Sequence, residues 1–341
     1  MLLTGTFLDE ISHDIPHQNW GRAEWDADFA AMKAIGIDTV ILIRSGHKRW
    51  LTYPSEVLME QEGCYRPPVD LVDMFLSLAE EYGLAFYFGT YDSGNYWHRG
   101  EFARELDLNR AVVNEVWAKY GGRMAFKGWY LTQEVSRRTW SIIDLYATMG
   151  RHCKAISGGL PVLISPWMEG IKATNAFSTQ VHKDTAITLA QHEQEWDEVM
   201  GGIAGAVDIV AFQDGHVEFS ELPEFLAVNK KLADRHGLRC WTNSETFDRD
   251  IPIKFLPIKW EKLLLKLNAA AQVGVEKAIT FEFSHFMSPN SAYLQARHLY
   301  NRYREHFGIG RRTVDGRPKT TNERRITCHL IPVPQRLTPD D

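Results

Sequence analysis

Short runs rich in Val, Ile, Phe and Tyr alternate along the chain with longer stretches whose apolar positions recur every three to four residues, the pattern of parallel βα units. The runs predict strands over Leu2–Leu8, Asp38–Arg44, Leu84–Tyr91, Phe126–Thr132, Leu160–Ser165, Val207–Gln213, Leu238–Asn243 and Glu276–Phe283. Trp25–Ile35, Leu71–Tyr82, Asn109–Tyr120, Ile142–Ile156, Leu222–His236 and Trp260–Val273 are the helical stretches between them. Eight strands in alternation with helices predict an α/β fold, a single (β/α)8 barrel over residues 1–307.

The connections are unequal. Turns from helix back to strand are short and mostly carry Gly, as at Gly83 and Gly237, where a helix C-terminus takes the left-handed conformation cheaply. Connections from strand to helix are long: Ser45–Val69, Asp92–Asp107, Pro166–Thr185 and Glu245–Pro257 exceed what simple βα loops need. Function is therefore expected at the carboxyl ends of the strands, with Ser45–Val69 and Pro166–Thr185 bordering one cleft.

Residues 308–341 are rich in Arg, Thr and Pro and fit no further βα unit, so they read as a loosely ordered tail, with Leu330–Val333 its one short apolar patch. A length of 341 residues with 44% hydrophobic content suits one large core, and a net charge of −6 supplies no basic footprint for nucleic acid or an anionic membrane. The four cysteines are far apart, which points to reduced core thiols rather than a zinc knuckle or a disulfide framework. Leu2–Leu8 is too short and strand-like for a signal sequence, so a cytoplasmic location is expected, or an external one if a leader has been removed. The expected partner is small and neutral, without nucleic acid or membrane, and no cofactor is expected; oligomeric state is not legible.

Acidic residues stand at or just beyond seven strand ends: Asp9, Asp92, Glu134, Glu169, Asp214, Glu245 and Glu282, while strand 2 ends in Arg44. Glu134 follows Gly128-Trp129-Tyr130-Leu131-Thr132-Gln133 and Glu245 follows Cys240-Trp241-Thr242-Asn243-Ser244, so both are delivered into a partly apolar rim, where carboxylate pKa values move. Two carboxyl groups on different strands are the minimal equipment for breaking a glycosidic bond, one protonating the leaving oxygen and the other acting as nucleophile or base.

Through Gly128-Trp129-Tyr130 with Glu134, Phe212-Gln213-Asp214-Gly215 and Ser244-Glu245-Thr246-Phe247, residues 2–307 resemble a family of TIM-barrel proteins of unknown function described as glycoside-hydrolase-like. More distantly the chain is similar to the clan A retaining glycosidases. That resemblance implies an acid/base at Glu134, a nucleophile at Glu245, and Arg44 beside the nucleophile. The chain departs from the clan at Gln133, where Asn precedes the acid/base, at Phe212-Gln213 in place of Tyr, and at Glu282 in place of Trp.

Substrate contacts are expected from Asp9, Arg44, Trp97, Trp129, Trp167, Gln213, Asp214, Trp241, Asn243 and Glu282. Trp20, Trp50 and Trp140 also fall in the predicted rim, where flat apolar rings can stack on the C–H faces of sugars. Two other readings stay open. Glu134, Asp214, Glu245, Glu282, His216 and His285 could serve as ligands in a divalent-metal sugar isomerase or lyase, in a loop set that also holds His13, His47, His98 and His182. The barrel could also bind carbohydrate without chemistry.

Overall fold

In the computed structural model, which describes residues 1–12, 15, 18–170, 187–248 and 255–310, strand side chains of one parity meet on the barrel axis and those of the other meet the helices. Phe7, Ile41, Tyr87, Tyr130, Leu163, Ile209, Trp241 and Ile279 form the inner cluster. Their neighbours Leu8, Leu42, Phe88, Trp129, Leu131, Ile164, Val210 and Cys240 belong to the outer cluster, packed with Trp25, Phe75, Val112, Trp196 and Leu263 from the helices. Burial on both faces is why these strands read as continuous apolar runs.

The strands are β1 (Leu3–Leu8), β2 (Thr39–Leu42), β3 (Ala85–Gly89), β4 (Phe126–Leu131), β5 (Val162–Ile164), β6 (Ile209–Gln213), β7 (Arg239–Asn243) and β8 (Lys277–Thr280). They close in sequence order into a parallel barrel, with β8 returning to β1 through Thr280 opposite Thr6. Gly128 gives β4 its fit against β3, because a Cβ there would stand 2.3 Å from the Tyr87 ring.

Helices Arg22–Ala34, Leu71–Tyr82, Phe102–Tyr120, Trp140–Ile156, Leu189–Ile203, Leu222–His236, Trp260–Val273 and Leu294–Phe307 surround the barrel. Asp70, Thr139 and Thr188 cap their helices by accepting from Asp73, Ile142 and Gln191 backbone N–H groups. The helix read as starting at Asn109 starts at Phe102: Glu105 is a buried carboxylate on the inward face and interrupts the apolar period. Leu189–Ile203 and Leu294–Phe307 were not singled out, and the strand expected to run to Phe283 ends at Thr280, after which Phe283–Phe286 turns helical.

Extra structure gathers after the strands' carboxyl ends. Gly46–His47 pairs antiparallel with Trp50–Leu51 and parallel with Tyr91–Asp92, and Phe247–Asp248 pairs with Leu256–Pro257. The loop beginning at Ser45 therefore rises over the expected mouth, as do residues 166–170. The rest of the Pro166–Thr185 loop, His13, His182, Cys328 and the chain from 311 onward lie outside the described residues. Cys64, Cys153 and Cys240 are buried free thiols. Among the described residues, no helix is long and apolar enough to cross a membrane.

Candidate active site at the carboxyl ends of the strands

The parity that turns Tyr130 to the axis sets its hydroxyl under the residue four positions on, and it donates to Glu134 Oε1 at 2.9 Å. Glu134 stays partly exposed. Burial raises its pKa above the ordinary carboxylate value; Arg44, Tyr130 and Gln213 pull the other way, and Asp92 adds to the rise.

Arg44 is the cation of this half of the mouth. Burial works against its charge, but Glu134, Asp92 and Asp9, in that order, hold it protonated. Its Nη1 is 3.8 Å from Asp92 Oδ2. Glu134 is the charge that acts most strongly on Arg44, in keeping with β2 lying two strands from β4 and three from β7 around the closed barrel.

Asp92 organises the same side. It accepts from Trp97 Nε1 at 3.0 Å and from Gly94 N at 2.8 Å, and His47 Nδ1 stands 3.4 Å away. Burial would raise its pKa, yet His47, Arg44, Trp97 and Gly94 bring it well below the ordinary range, so Asp92 is an ionised anchor. It fixes the partly exposed Trp97 at the rim.

Glu245 sits two residues beyond the end of β7 and is buried. Its backbone is held from both sides: its N–H donates to Asp214 Oδ1 at 3.1 Å, and its carbonyl accepts from Lys266 Nζ at 3.0 Å. Lys266 also donates to Asp214 Oδ1 at 2.7 Å. Asp214, expected to touch substrate, thus has one oxygen committed to positioning Glu245; burial raises its pKa, Lys266 lowers it and the Glu245 charge raises it.

Between the two glutamates, Gln213 Nε2 donates to Ser165 O at 2.7 Å and Asn243 Nδ2 to Ser165 Oγ at 3.2 Å, while Asn243 Oδ1 is buried without a hydrogen-bond partner. Trp167 bridges to Gln213, is partly exposed, and lies with its ring 4.7 Å from that of His216.

On the β1–β8 side, Asp9 Oδ1 accepts from the N–H groups of Ile11 and Ser12 at 3.0 and 2.9 Å. Glu282 accepts from Ser284 N at 3.0 Å and His285 N at 2.6 Å, and its Oε1 is 2.5 Å from His285 Nδ1. Burial would lower the His285 pKa, but Glu282, Asp9 and Glu10 lift it to about 9. Glu10 is itself raised to about 7, chiefly by burial.

Two expected contacts are misplaced. Trp129 has the outward parity, is wholly buried among the helices, and donates from Nε1 to Ser157 Oγ at 3.1 Å. Trp241 points to the axis but too deep: it packs 6.3 Å from the Tyr87 ring with Arg239 and Lys277, the first residues of β7 and β8, over its face. Neither reaches the mouth. Gln133, at the clan's Asn position, is also turned away, donating to Glu105 Oε1 at 3.0 Å and Tyr91 O at 3.1 Å.

Among the described residues, no three His, Cys, Asp or Glu side chains are grouped as a metal ion requires. Glu134, Asp214, Glu245, Glu282, His216 and His285 are therefore not brought together as one ligand set. Sequence reasoning missed the parts played by Lys266, Ser165 and His47. Lys266 had a signal, a lone cation within the apolar run Leu263–Ala271 on the face that packs inward.

The chain can be placed among known proteins. No curated protein sequence matches it. The family profile described as Domain of unknown function (DUF4434) matches residues 3–293. The chain is similar to a solved structure from Bacteroides thetaiotaomicron VPI-5482 described as a putative alpha-L-fucosidase, with 58% identity over 90% of this chain and 96% of that one, at a TM-score of 0.87. Two more distant structures share the fold. An endo-1,4-beta-D-mannanase from Thermotoga petrophila RKU-1 is 11% identical, covering 82% of this chain and 87% of that one, at a TM-score of 0.55. A beta-D-glucuronidase from Dictyoglomus thermophilum is 13% identical, covering 88% and 50%, at 0.53.

Proposed function

The chain belongs to the DUF4434 family, and from that premise we propose that it hydrolyses a glycosidic bond, with Glu134 as acid and base and Glu245 as nucleophile of a retaining mechanism. The observation that carries this reading is the difference between the two glutamates. Glu134 is partly exposed with a raised pKa, as a proton donor at neutral pH needs. Glu245 is buried on a backbone clamped by Asp214 and Lys266, as an attacking group that must not drift needs.

In the first step Glu245 attacks the anomeric carbon while Glu134 gives its proton to the departing oxygen. Glu134 then becomes a carboxylate, and the Arg44 charge and Tyr130 hydroxyl beside it stabilise that form. In the second step Glu134 takes a proton from water, the water oxygen attacks the anomeric carbon, and Glu245 is released. Retention calls for carboxyl groups about 5–5.5 Å apart, against roughly 6.5–9.5 Å for inversion. Trp97 and Trp167, both partly exposed at the rim, are the side chains best placed to stack on a sugar.

The 58% identical Bacteroides protein is named for α-L-fucoside cleavage, so 4-nitrophenyl α-L-fucoside heads the substrate panel. Release of nitrophenol from at least one aryl glycoside, with a first-formed sugar of retained anomeric configuration, is expected. No release across fucosides, mannosides, galactosides, glucosides, xylosides and glucuronides of both anomers would overturn the reading.

A further inference from the structure

The three-stranded sheet over the mouth has a register that extends the site outward. His47 is directly opposite Trp50 in the antiparallel pair and directly opposite Asp92 in the parallel pair. Residues directly opposite each other project from the same face, so Trp50, His47 and Asp92 form one row. The inner end of that row reaches the mouth, since Asp92 pairs with Arg44, on whose charge Glu134 acts most strongly.

The outer end is open. Trp50 is 63% exposed and Tyr65 46% exposed, and they are the two aromatic side chains among the exposed large apolar residues described. Their rings touch, with centroids 5.1 Å apart. The Arg49 guanidinium stacks on Tyr65 at 4.4 Å and is tied to Gly63 O at 2.6 Å, which holds the aromatic pair in place. The same Arg49 also lines a cavity of about 390 Å³, with Lys48, Ser93, Asn95 and Tyr96 among others. Two contacting aromatic rings left in water, next to a polar hollow of ligand size, suit a pyranose, whose C–H face is apolar and whose rim is hydroxylated.

We infer that Trp50 and Tyr65 form a second sugar subsite, so that the substrate is an oligosaccharide with one unit cleaved between Glu134 and Glu245 and a more distant unit stacked on Trp50. This rests on the glycosidase reading and adds the substrate class to it. Trp50 reaches the distal ring, and Lys48 and Asn95 meet its hydroxyls from the cavity.

The test is binding of a Glu245→Gln protein, which cannot turn substrate over, to an array of defined oligosaccharides printed beside their constituent monosaccharides. At least one oligosaccharide should be held more tightly than any of its monosaccharides. Trp50→Ala in the same background should weaken that binding about tenfold, or about 1.4 kcal/mol, while Trp50→Phe keeps most of it; an unchanged thermal midpoint checks that folding is intact. Equal oligosaccharide binding with and without the Trp50 ring overturns the subsite alone, as does aryl glycoside hydrolysis by the wild-type protein without preferential oligosaccharide binding. Neither hydrolysis nor glycan binding overturns the subsite and the glycosidase reading together.

Discussion

Lys266 and Asp214 face each other at 2.7 Å, and both side chains are closed to solvent. The pair links helix Trp260–Val273 to the end of β6, and through their further bonds to the N–H and carbonyl of Glu245 it sets the position of the proposed nucleophile. A buried cation in an apolar helix costs stability by itself; here it is matched by one carboxylate and one carbonyl.

Breaking that pair from one side should be expensive. Lys266→Met leaves Asp214 buried without its cation, and the unfolding free energy in urea is expected to fall by about 3–5 kcal/mol. Adding Asp214→Asn should recover part of the loss, since the stranded charge is then gone. A loss below about 1 kcal/mol in the single variant would show that the pair does not hold this loop.

Glu134 should supply the alkaline limb of the pH profile. Its pKa is raised, chiefly by burial, and a general acid works while protonated, so kcat/KM should fall as pH climbs through that raised value. With a 4-nitrophenyl substrate, whose leaving group needs less help from the acid, Glu134→Ala should keep measurable turnover, lose this limb and gain turnover on addition of azide, which replaces the water that requires a base. An unaltered alkaline limb in Glu134→Ala would assign the acid elsewhere.

The frame of the molecule was legible because each strand is apolar on both faces and each helix returns through a short turn. The deeper features were not, and parity explains most of the misses. Trp129 and Trp241 lie on the very strands that deliver Glu134 and Glu245, but one aims at the helices and the other at the lower axis, a distinction of one residue and of depth that an apolar run does not display. Arg44 feels Glu134 more than any other charge, because reach across a barrel depends on strand distance and not on charge alone. Lys266 and Asp92 act through partners far away in the chain.

Gly128 tests the packing beneath the site. An added Cβ would sit 2.3 Å from Tyr87 Cε1, on the inward face of β4 just below Tyr130. Gly128→Ala should lower stability by about 1–3 kcal/mol, read as a shift in the urea midpoint, and the loss should shrink when Tyr87→Leu is added. Wild-type stability in Gly128→Ala would show that the ring can step aside.

Asp28 gives a pH dependence that belongs to the fold rather than to catalysis. Burial raises its pKa from 3.8 to about 7, Ser288 and Ser284 lower it, and the Glu282 charge raises it. Between those two values the folded chain keeps a proton that the unfolded chain releases, so stability falls as pH rises through this window and levels off above it. Asp28→Asn should remove most of this slope and exceed the wild type at pH 8 by on the order of a few kcal/mol, while matching it near pH 4. Glu10, also raised to about 7, should leave a smaller slope of the same sign. Parallel stability curves for the two proteins would contradict the assignment to Asp28.

The central claim is that Glu134 and Glu245 share the breaking of a glycosidic bond. The most direct measurement is the turnover of Glu134→Gln and Glu245→Gln, each confirmed as folded, on an unactivated substrate that the wild-type protein hydrolyses. Each substitution keeps the shape and removes the acid, base or nucleophile, so each rate should fall by several orders of magnitude while substrate binding changes little. Near wild-type turnover in either variant would contradict the account and move the search to Asp9, Asp92 and Glu282.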